Sequence, residues 1–217
     1  MMLEHLKSNP EINLTEAREF LLGLLPKAGE MLKQHFGLKS LTRTKKGALD
    51  IVTEADLAVD DRLRREIGLR YLQTGFLTEE TAPSDYSSLQ DQESLWVIDP
   101  LDGTTNFSRG HPHFAISVAL VSRGESRLGV VHIPLAGETF WAQEDLDLAF
   151  LNGEPIKVST VNDLAETSFL CDWVPKAETR ARMIKWLSRI APYVRQIRSG
   201  GSAVADLSSL AAGRVDA

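Results

Sequence analysis

Cysteine is almost absent from this 217-residue chain, which contains only Cys171, so an internal disulfide is impossible. That usage fits a reducing compartment, and we expect a cytoplasmic location. Long apolar runs are missing as well, because no stretch approaches membrane-spanning length and residues 1–10 lack the apolar core of a signal peptide. The sequence therefore predicts a soluble protein with no membrane partner.

A positive charge excess is also lacking, since 24 Lys and Arg residues face 30 Asp and Glu residues and the net charge is −6. Nucleic acid and anionic membranes are therefore poor primary partners. An acidic protein can still bind an anionic substrate if bound cations invert the local field. Hydrophobic residues make up 43% of the chain, which is enough to bury a full core as one large domain or two lobes.

Helices and strands are predicted in the first two thirds of the chain. An amphipathic pattern predicts a helix over 14–36, with Pro26 expected to kink or split it. Thr53 resembles the cap of a second helix, with Asp56 in its first turn. Strands are predicted near 95–99, 114–121, 127–133 and 138–142.

The last third begins with a hairpin signal, Asn152-Gly153. Strands and helices then alternate: strand near 167–173, helix near 178–190, strand near 193–198, helix near 202–212. We therefore expect an N-terminal lobe, 1–150, with helices and an antiparallel meander, and a partial C-terminal α/β lobe, 151–217. Because Arg214 begins a strand-like segment, we expect a shortened chain. Tryptophans are expected in the core, at 96, 141, 173 and 186.

Residues 96–107, Trp-Val-Ile-Asp-Pro-Leu-Asp-Gly-Thr-Thr-Asn-Phe, are the most informative stretch. A buried strand is predicted to end at two carboxylates, Asp99 and Asp102. A sharp Asp-Gly turn follows, and then a helix start with backbone amides at 103–105. Carboxylates favour hard divalent cations, and amides at a helix start favour phosphate oxygens. This combination suits a metal-assisted phosphatase.

Two further segments add to this predicted site. Pro100 makes the turn rigid, so both carboxylates can converge with the Leu101 carbonyl as a third oxygen ligand. Glu79 follows a strand-like segment and can complete a cation site, although an isolated acidic pair is usually a solvated loop. Asp56 taken alone would only compensate a helix dipole.

Two similar motifs do not fit. A calcium EF-hand loop requires Glu at its twelfth position, where this chain has Gly110. Aspartyl-phosphate phosphatases of the haloacid dehalogenase type use Asp-x-Asp-Gly-Thr, whereas the two acids here are three residues apart. The second acid could not then take its acid/base position.

Together these residues resemble the inositol monophosphatase family of Mg²⁺-dependent, lithium-sensitive phosphatases. The matching segments are 50–56, 79–81, 99–107 and 199–203, and the resemblance covers nearly the whole chain from about residue 12. It implies a layered α/β (α+β) fold, the α/β/α/β sandwich, and a homodimer. It also implies two or three Mg²⁺ ions and a small phosphorylated substrate.

The resemblance also implies roles for individual residues. The metal ligands are expected at Glu79, Asp99, the Leu101 carbonyl and Asp102. Glu79, Asp56 and Thr104 are expected to hold and activate the attacking water. Substrate contacts are expected at Leu101, Asp102, Gly103, Thr104, Gly201, Ser202 and Ala203.

The chain departs from the family pattern in two places. Thr78 stands where the family usually has glycine. The chain also ends before the family's Trp-Asp motif, which supplies another metal ligand and a substrate contact, so we expect weak binding of the second metal.

The expected reaction is phosphate monoester hydrolysis by direct attack of a metal-activated water. Inositol 1-monophosphate is the favoured substrate. The alternatives within the family are a 3′(2′),5′-bisphosphate nucleotide and fructose 1,6-bisphosphate. A non-catalytic, metal-stabilised interaction module is the hypothesis from another class.

Overall fold

The order of helices and strands matches the sequence patterns. The computed structural model describes residues 12–38, 43–45, 51–80, 92–173 and 176–217, without the side chains of 43–45 and 51–52. The helices are α1 (Leu14–His35), α2 (Glu54–Arg70), α3 (Thr104–Ser108), α4 (Ala177–Ile190) and α5 (Ala203–Ala211), with a 3₁₀ turn at Leu164–Glu166. The strands are β1 (Arg43–Lys45), β2 (Ile51–Thr53), β3 (Gly75–Thr78), β4 (Ser94–Asp102), β5 (Ala115–Ser122), β6 (Glu125–Ile133), β7 (Glu138–Gln143), β8 (Ala149–Leu151), β9 (Glu154–Ile156), β10 (Ser168–Leu170) and β11 (Gln196–Arg198).

A seven-stranded sheet in the order β3-β4-β5-β6-β7-β8-β9 organises most of the described residues. Its pairs are antiparallel except for β3 and β4, which run parallel. Residues with positive φ close the β8–β9 hairpin, Asn152 at 50° and Gly153 at 89°, as the Asn-Gly signal predicts. Two smaller sheets pair β1 with β2 and β10 with β11.

Both long helices begin at side-chain caps. The Asn13 side chain accepts a hydrogen bond from the Glu16 backbone amide at 3.1 Å, and Asp56 accepts one from the Thr53 amide at 2.9 Å. These bonds satisfy amides that have no partner within the helix. Pro26 lies inside α1, which continues to His35, so the split that we considered does not occur.

One main core lies where α1 and α2 pack on the sheet. Its largest fully buried side chains include Trp96, Phe107, Phe114, Leu21, Leu25 and Leu63. At about 25 cal/mol per Å² of buried apolar surface, each such side chain contributes roughly 1.5–3 kcal/mol. This core fixes β4 and the start of α3, between which the Asp-Gly turn lies.

The C-terminal residues form a β-α-β unit in which α4 connects the parallel strands β10 and β11. Helix α4 buries none of its residues, and it contacts this sheet through Trp186, whose ring lies 5.3 Å from that of Phe169 in β10. The expectation of buried tryptophans is therefore wrong at Trp173 and Trp186, which are 56% and 48% exposed, although Trp96 is fully buried. The division into lobes at residue 150 stays a prediction.

Among the described residues, no helix is both long and apolar enough to span a membrane.

Candidate metal centre and active site

Glu79 lies beside Asp99 because β3 and β4 are parallel. Thr78, the last residue of β3, pairs with Ile98, and the Glu79 amide donates to the Ile98 carbonyl at 3.2 Å. The next residue of each strand therefore emerges at the same sheet edge. This pairing brings together two of the three carboxylates that the sequence predicts to act jointly.

A β-bulge in β4 reorients the third carboxylate, Asp102. Asp99 pairs with Ser117 and Asp102 pairs with Ala115, so three residue steps on β4 face two on β5. Side chains alternate along a regular strand, and residues three apart would point to opposite faces. One extra residue cancels this alternation and brings Asp99 and Asp102 to the same side.

The ionisation of Asp99 reflects these neighbours. Burial, then the charges of Glu79 and Asp102 and a hydrogen bond with Glu79, raise the pKa of Asp99 to about 8. Without a neutralising cation, Asp99 therefore retains a proton at neutral pH. A divalent cation would remove the same like-charge repulsion.

These carboxylates are held by each other and by protein donors. In the described ranges, no three His, Cys, Asp or Glu side chains already surround a single point as metal ligands do. Asp99 accepts from the Leu101 amide at 3.0 Å, and Glu79 bonds to Asp99. The donor set nevertheless fits a hard cation, because all its atoms are oxygens and its neighbouring carboxylates repel one another until a cation neutralises them. The four-residue ligand set stays a prediction.

Asp102 also connects the Asp-Gly turn to the start of α5. Its Oδ2 accepts from the Ser202 hydroxyl at 2.6 Å and from the Val204 amide at 2.7 Å. Ser202 is the N-cap of α5 and is 1% exposed. Ser202 is one of the expected substrate contacts, and in this structure its hydroxyl donates to Asp102.

Asp56 and Thr104 form the second part of the site. The Thr104 hydroxyl lies 3.0 Å from the Leu101 carbonyl and 3.4 Å from Asp56 Oδ1, and it can donate its one proton to either oxygen. Asp56 Oδ2 accepts from the amide and the hydroxyl of Thr53. Burial is the main cause that raises the pKa of Asp56 to about 6, and the charge of Glu80 adds to it.

Gly103 lets the turn at 199–203 approach the Asp-Gly motif. Its φ is +90°, and a Cβ at this position would lie 3.0 Å from the His113 carbonyl and 3.2 Å from the Gly201 carbonyl. A larger residue would therefore be strained both in conformation and in space. The structure thus brings residues 101–104 and 201–203 together, as expected.

Four residues that the sequence interpretation missed, Asn106, His113, Asp172 and Asp206, bond around this turn. Asp172 accepts from the Gly201 amide at 3.0 Å, and His113 bonds to Asp206 at 2.8 Å. The nearest signals in the sequence are the Asn in the Asp-Gly-Thr-Thr-Asn segment and an acid in the first turn of the last helix.

Known proteins share both sequence and fold with this chain. The model of the inositol monophosphatase family matches residues 13–217. A Thermotoga maritima protein named fructose-1,6-bisphosphatase/inositol-1-monophosphatase is 37% identical over 202 residues, covering 91% of this chain and 73% of that protein.

Solved structures agree. The extragenic suppressor protein suhB from Bartonella henselae has a TM-score of 0.85 and 31% identity, covering 93% of this chain and 76% of its own. SaIMPase-II with inositol monophosphate bound has a TM-score of 0.74 and 25% identity, covering 94% of this chain and 72% of its own. SaIMPase-II has also been solved with 2′AMP bound.

Proposed function

Because the chain belongs to the inositol monophosphatase family, we propose that it is a Mg²⁺-dependent hydrolase of phosphate monoesters that prefers inositol 1-monophosphate. The observation that carries this proposal is the grouping of Glu79 and Asp102 around the buried Asp99, whose pKa is raised to about 8 by burial first and by these two charges next. A buried carboxyl group perturbed by like charges is typical of functional sites. The inositol monophosphate bound to SaIMPase-II supports the substrate class.

Four oxygen donors would hold the cations: the carboxylates of Glu79, Asp99 and Asp102 and the carbonyl of Leu101. Bound Mg²⁺ would supply Lewis acidity, which lowers the pKa of water and neutralises charge on the phosphate. The chain's own contribution is to keep these oxygens close together. The β4 bulge and the β3–β4 pairing support this role.

Thr104 and Asp56 are proposed to orient the attacking water and take its proton. The single Thr104 hydroxyl proton points to the Leu101 carbonyl or to Asp56, so its oxygen lone pairs remain available to accept from water. With a pKa of about 6, Asp56 is ionised at pH 7.5 and can accept the proton through Thr104. No protein nucleophile is then required.

The substrate is proposed to bind between two backbone segments. The amides of Gly103 and Thr104 would hold the oxygens of the transferred phosphate. In the second segment, the Ser202 hydroxyl and the Gly201 amide already bond to Asp102 and Asp172. We therefore infer that this segment contacts the leaving group mainly through Ala203, the exposed first residue of α5.

The test is phosphate release from a substrate panel as Mg²⁺ is varied, with and without lithium. The panel contains inositol 1-monophosphate, 2′AMP, a 3′(2′),5′-bisphosphate nucleotide and fructose 1,6-bisphosphate. Three of these correspond to the names or bound ligands of similar proteins, the exception being the 3′(2′),5′-bisphosphate nucleotide. We expect the highest kcat/KM for inositol 1-monophosphate and inhibition by lithium. A higher value for another member would overturn the substrate assignment.

No release from any member at any Mg²⁺ concentration would instead favour the non-catalytic interaction module. Single turnover in ¹⁸O-water provides a second check, since label in an Asp side chain would exclude direct attack by water. The homodimer and the cytoplasmic location also remain proposals. Light scattering tests the first, because a dimer has twice the 24.0 kDa mass of the chain.

A further inference from the structure

A hydrogen-bonded pair of side chains beside the turn at 199–203 has no role in the proposed chemistry. His113 Nε2 lies 2.8 Å from Asp206 Oδ1, and the two side chains are 29% and 10% exposed. His113 follows α3, whereas Asp206 lies in the first turn of α5. The pair therefore joins two segments that are 93 residues apart in sequence.

The second oxygen of Asp206 holds the turn itself. Asp206 Oδ2 accepts from the Gly200 amide at 3.1 Å. A Cβ on Gly200 would lie 2.1–2.6 Å from atoms of this carboxylate, so only glycine allows the contact. One carboxylate thus connects the imidazole of His113 to the backbone of the turn.

Asn106 provides the third connection. Its Nδ2 donates to the His113 carbonyl at 2.7 Å and to the Gly200 carbonyl at 2.8 Å. Asn106 lies on α3, two residues after Thr104. The turn is therefore bonded on one side to α3, the helix that follows the Asp-Gly motif, and on the other to the start of α5.

We propose that His113, Asp206 and Asn106 are positioning residues that hold the substrate-facing turn against the Asp-Gly motif. The turn contains two adjacent glycines, and Gly201 has a φ of +78°, so its backbone alone does not select one conformation. The side chains of Asn106 and Asp206 bond to Gly200 and supply this selection, and His113 in turn holds Asp206. The inference rests on the proposed function, because it assigns the preorganisation of the leaving-group side of that site.

This role predicts a separation of KM from kcat. The hydrogen bonds of the three side chains go to one another and to backbone groups, and none of those described reaches Glu79, Asp99 or Thr104. In His113→Ala we expect KM for inositol 1-monophosphate to rise about tenfold while kcat stays within about threefold. His113→Gln should restore most of the affinity, because its amide can donate to Asp206 as the imidazole does.

A double-mutant cycle tests whether the pair acts as a unit. If it does, the KM of His113→Ala/Asp206→Ala should not exceed that of the worse single variant. His111→Ala is the matched control, because His111 is an exposed histidine two residues away whose side chain has no described partner. Additive effects, or a fall in kcat without a change in KM, would overturn the proposal.

Amide hydrogen exchange gives a measurement independent of activity. In the free protein, His113→Ala should speed exchange in the peptide covering 199–205, and His111→Ala should not. If the chain hydrolyses none of the phosphate esters, the proposed function fails, and exchange still tests the positioning role. If Asp206→Ala does not fold, His113→Ala alone tests the positioning role. Unchanged exchange together with an unchanged KM in this variant would refute that role.

Discussion

Magnesium affinity should depend steeply on pH, because Asp99 must lose its proton before a cation can bind. The pKa of Asp99 is about 8, with burial and the neighbouring charges of Glu79 and Asp102 as its causes. For one competing proton, the apparent affinity is reduced by the factor 1 + 10^(pKa − pH). That factor is about 33 at pH 6.5 and about 1.3 at pH 8.5, so affinity should rise about 25-fold over this interval.

Isothermal titration calorimetry of the metal-free protein with Mg²⁺ measures this directly. Titrations in two buffers of different ionisation enthalpy also count the protons released. We expect about one proton per cation at pH 6.5 and about a quarter of a proton at pH 8.5.

Two variants control this experiment. Asp99→Asn should weaken binding and remove the pH dependence, because the titrating group is gone. Asp147→Asn removes an exposed carboxylate elsewhere and should behave as the unmodified chain does. An affinity that changes less than about twofold between pH 6.5 and 8.5, with no proton release, would refute the reasoning about the carboxylates.

Three further predictions follow from the same contacts. Asp102→Asn should abolish turnover but leave the unfolding temperature nearly unchanged, because the amide oxygen of the new side chain can still accept from Ser202. Asp147→Asn is the control, and an unchanged rate in Asp102→Asn would show that Asp102 is not part of the site. Ser202→Ala should lower the free energy of unfolding by about 1–2 kcal/mol in denaturant titrations, because it removes a buried helix cap. It should also weaken Mg²⁺ binding, because Asp102 loses a hydrogen-bond donor. A variant with the stability and the Mg²⁺ affinity of the unmodified chain would contradict both expectations. Without Mg²⁺, the free energy of unfolding should fall as pH rises from about 4 to about 8.5. Asp56 and Asp99 have pKa values raised to about 6 and about 8, so they bind protons more tightly in the folded state than in the unfolded state. A free energy of unfolding that rises across this range would refute the predicted direction of the pH dependence.

Local patterns were sufficient to predict the elements around the site. The apolar run before Asp99 and the Asp-Gly pair after it predicted a buried strand and a sharp turn, and β4 and Gly103 follow this prediction. The helix cap at Thr53 was likewise predicted, because it involves residues three apart. Such signals depend on neighbours in sequence, so the sequence contains them.

Long-range contacts were beyond this reasoning. The hydrogen bond from Ser202 to Asp102 joins residues 100 positions apart in sequence, and no pattern near either residue indicates that the serine hydroxyl donates to Asp102. The His113–Asp206 pair is similar, since a lone histidine in a loop is usually structural. The β-bulge could not be predicted from the sequence either, because it is defined by how the residues of β4 pair with those of β5. The exposure of Trp186 likewise depends on how little of the fold packs against α4.

Anomalous diffraction from crystals soaked in Mn²⁺, recorded at the manganese edge, tests the central claim most directly. We expect at least one anomalous peak within ligand distance of oxygens from Glu79, Asp99 and Asp102, together with the Leu101 carbonyl. Peaks found only elsewhere, with these three carboxylates still bonded to one another and to protein donors, would contradict it.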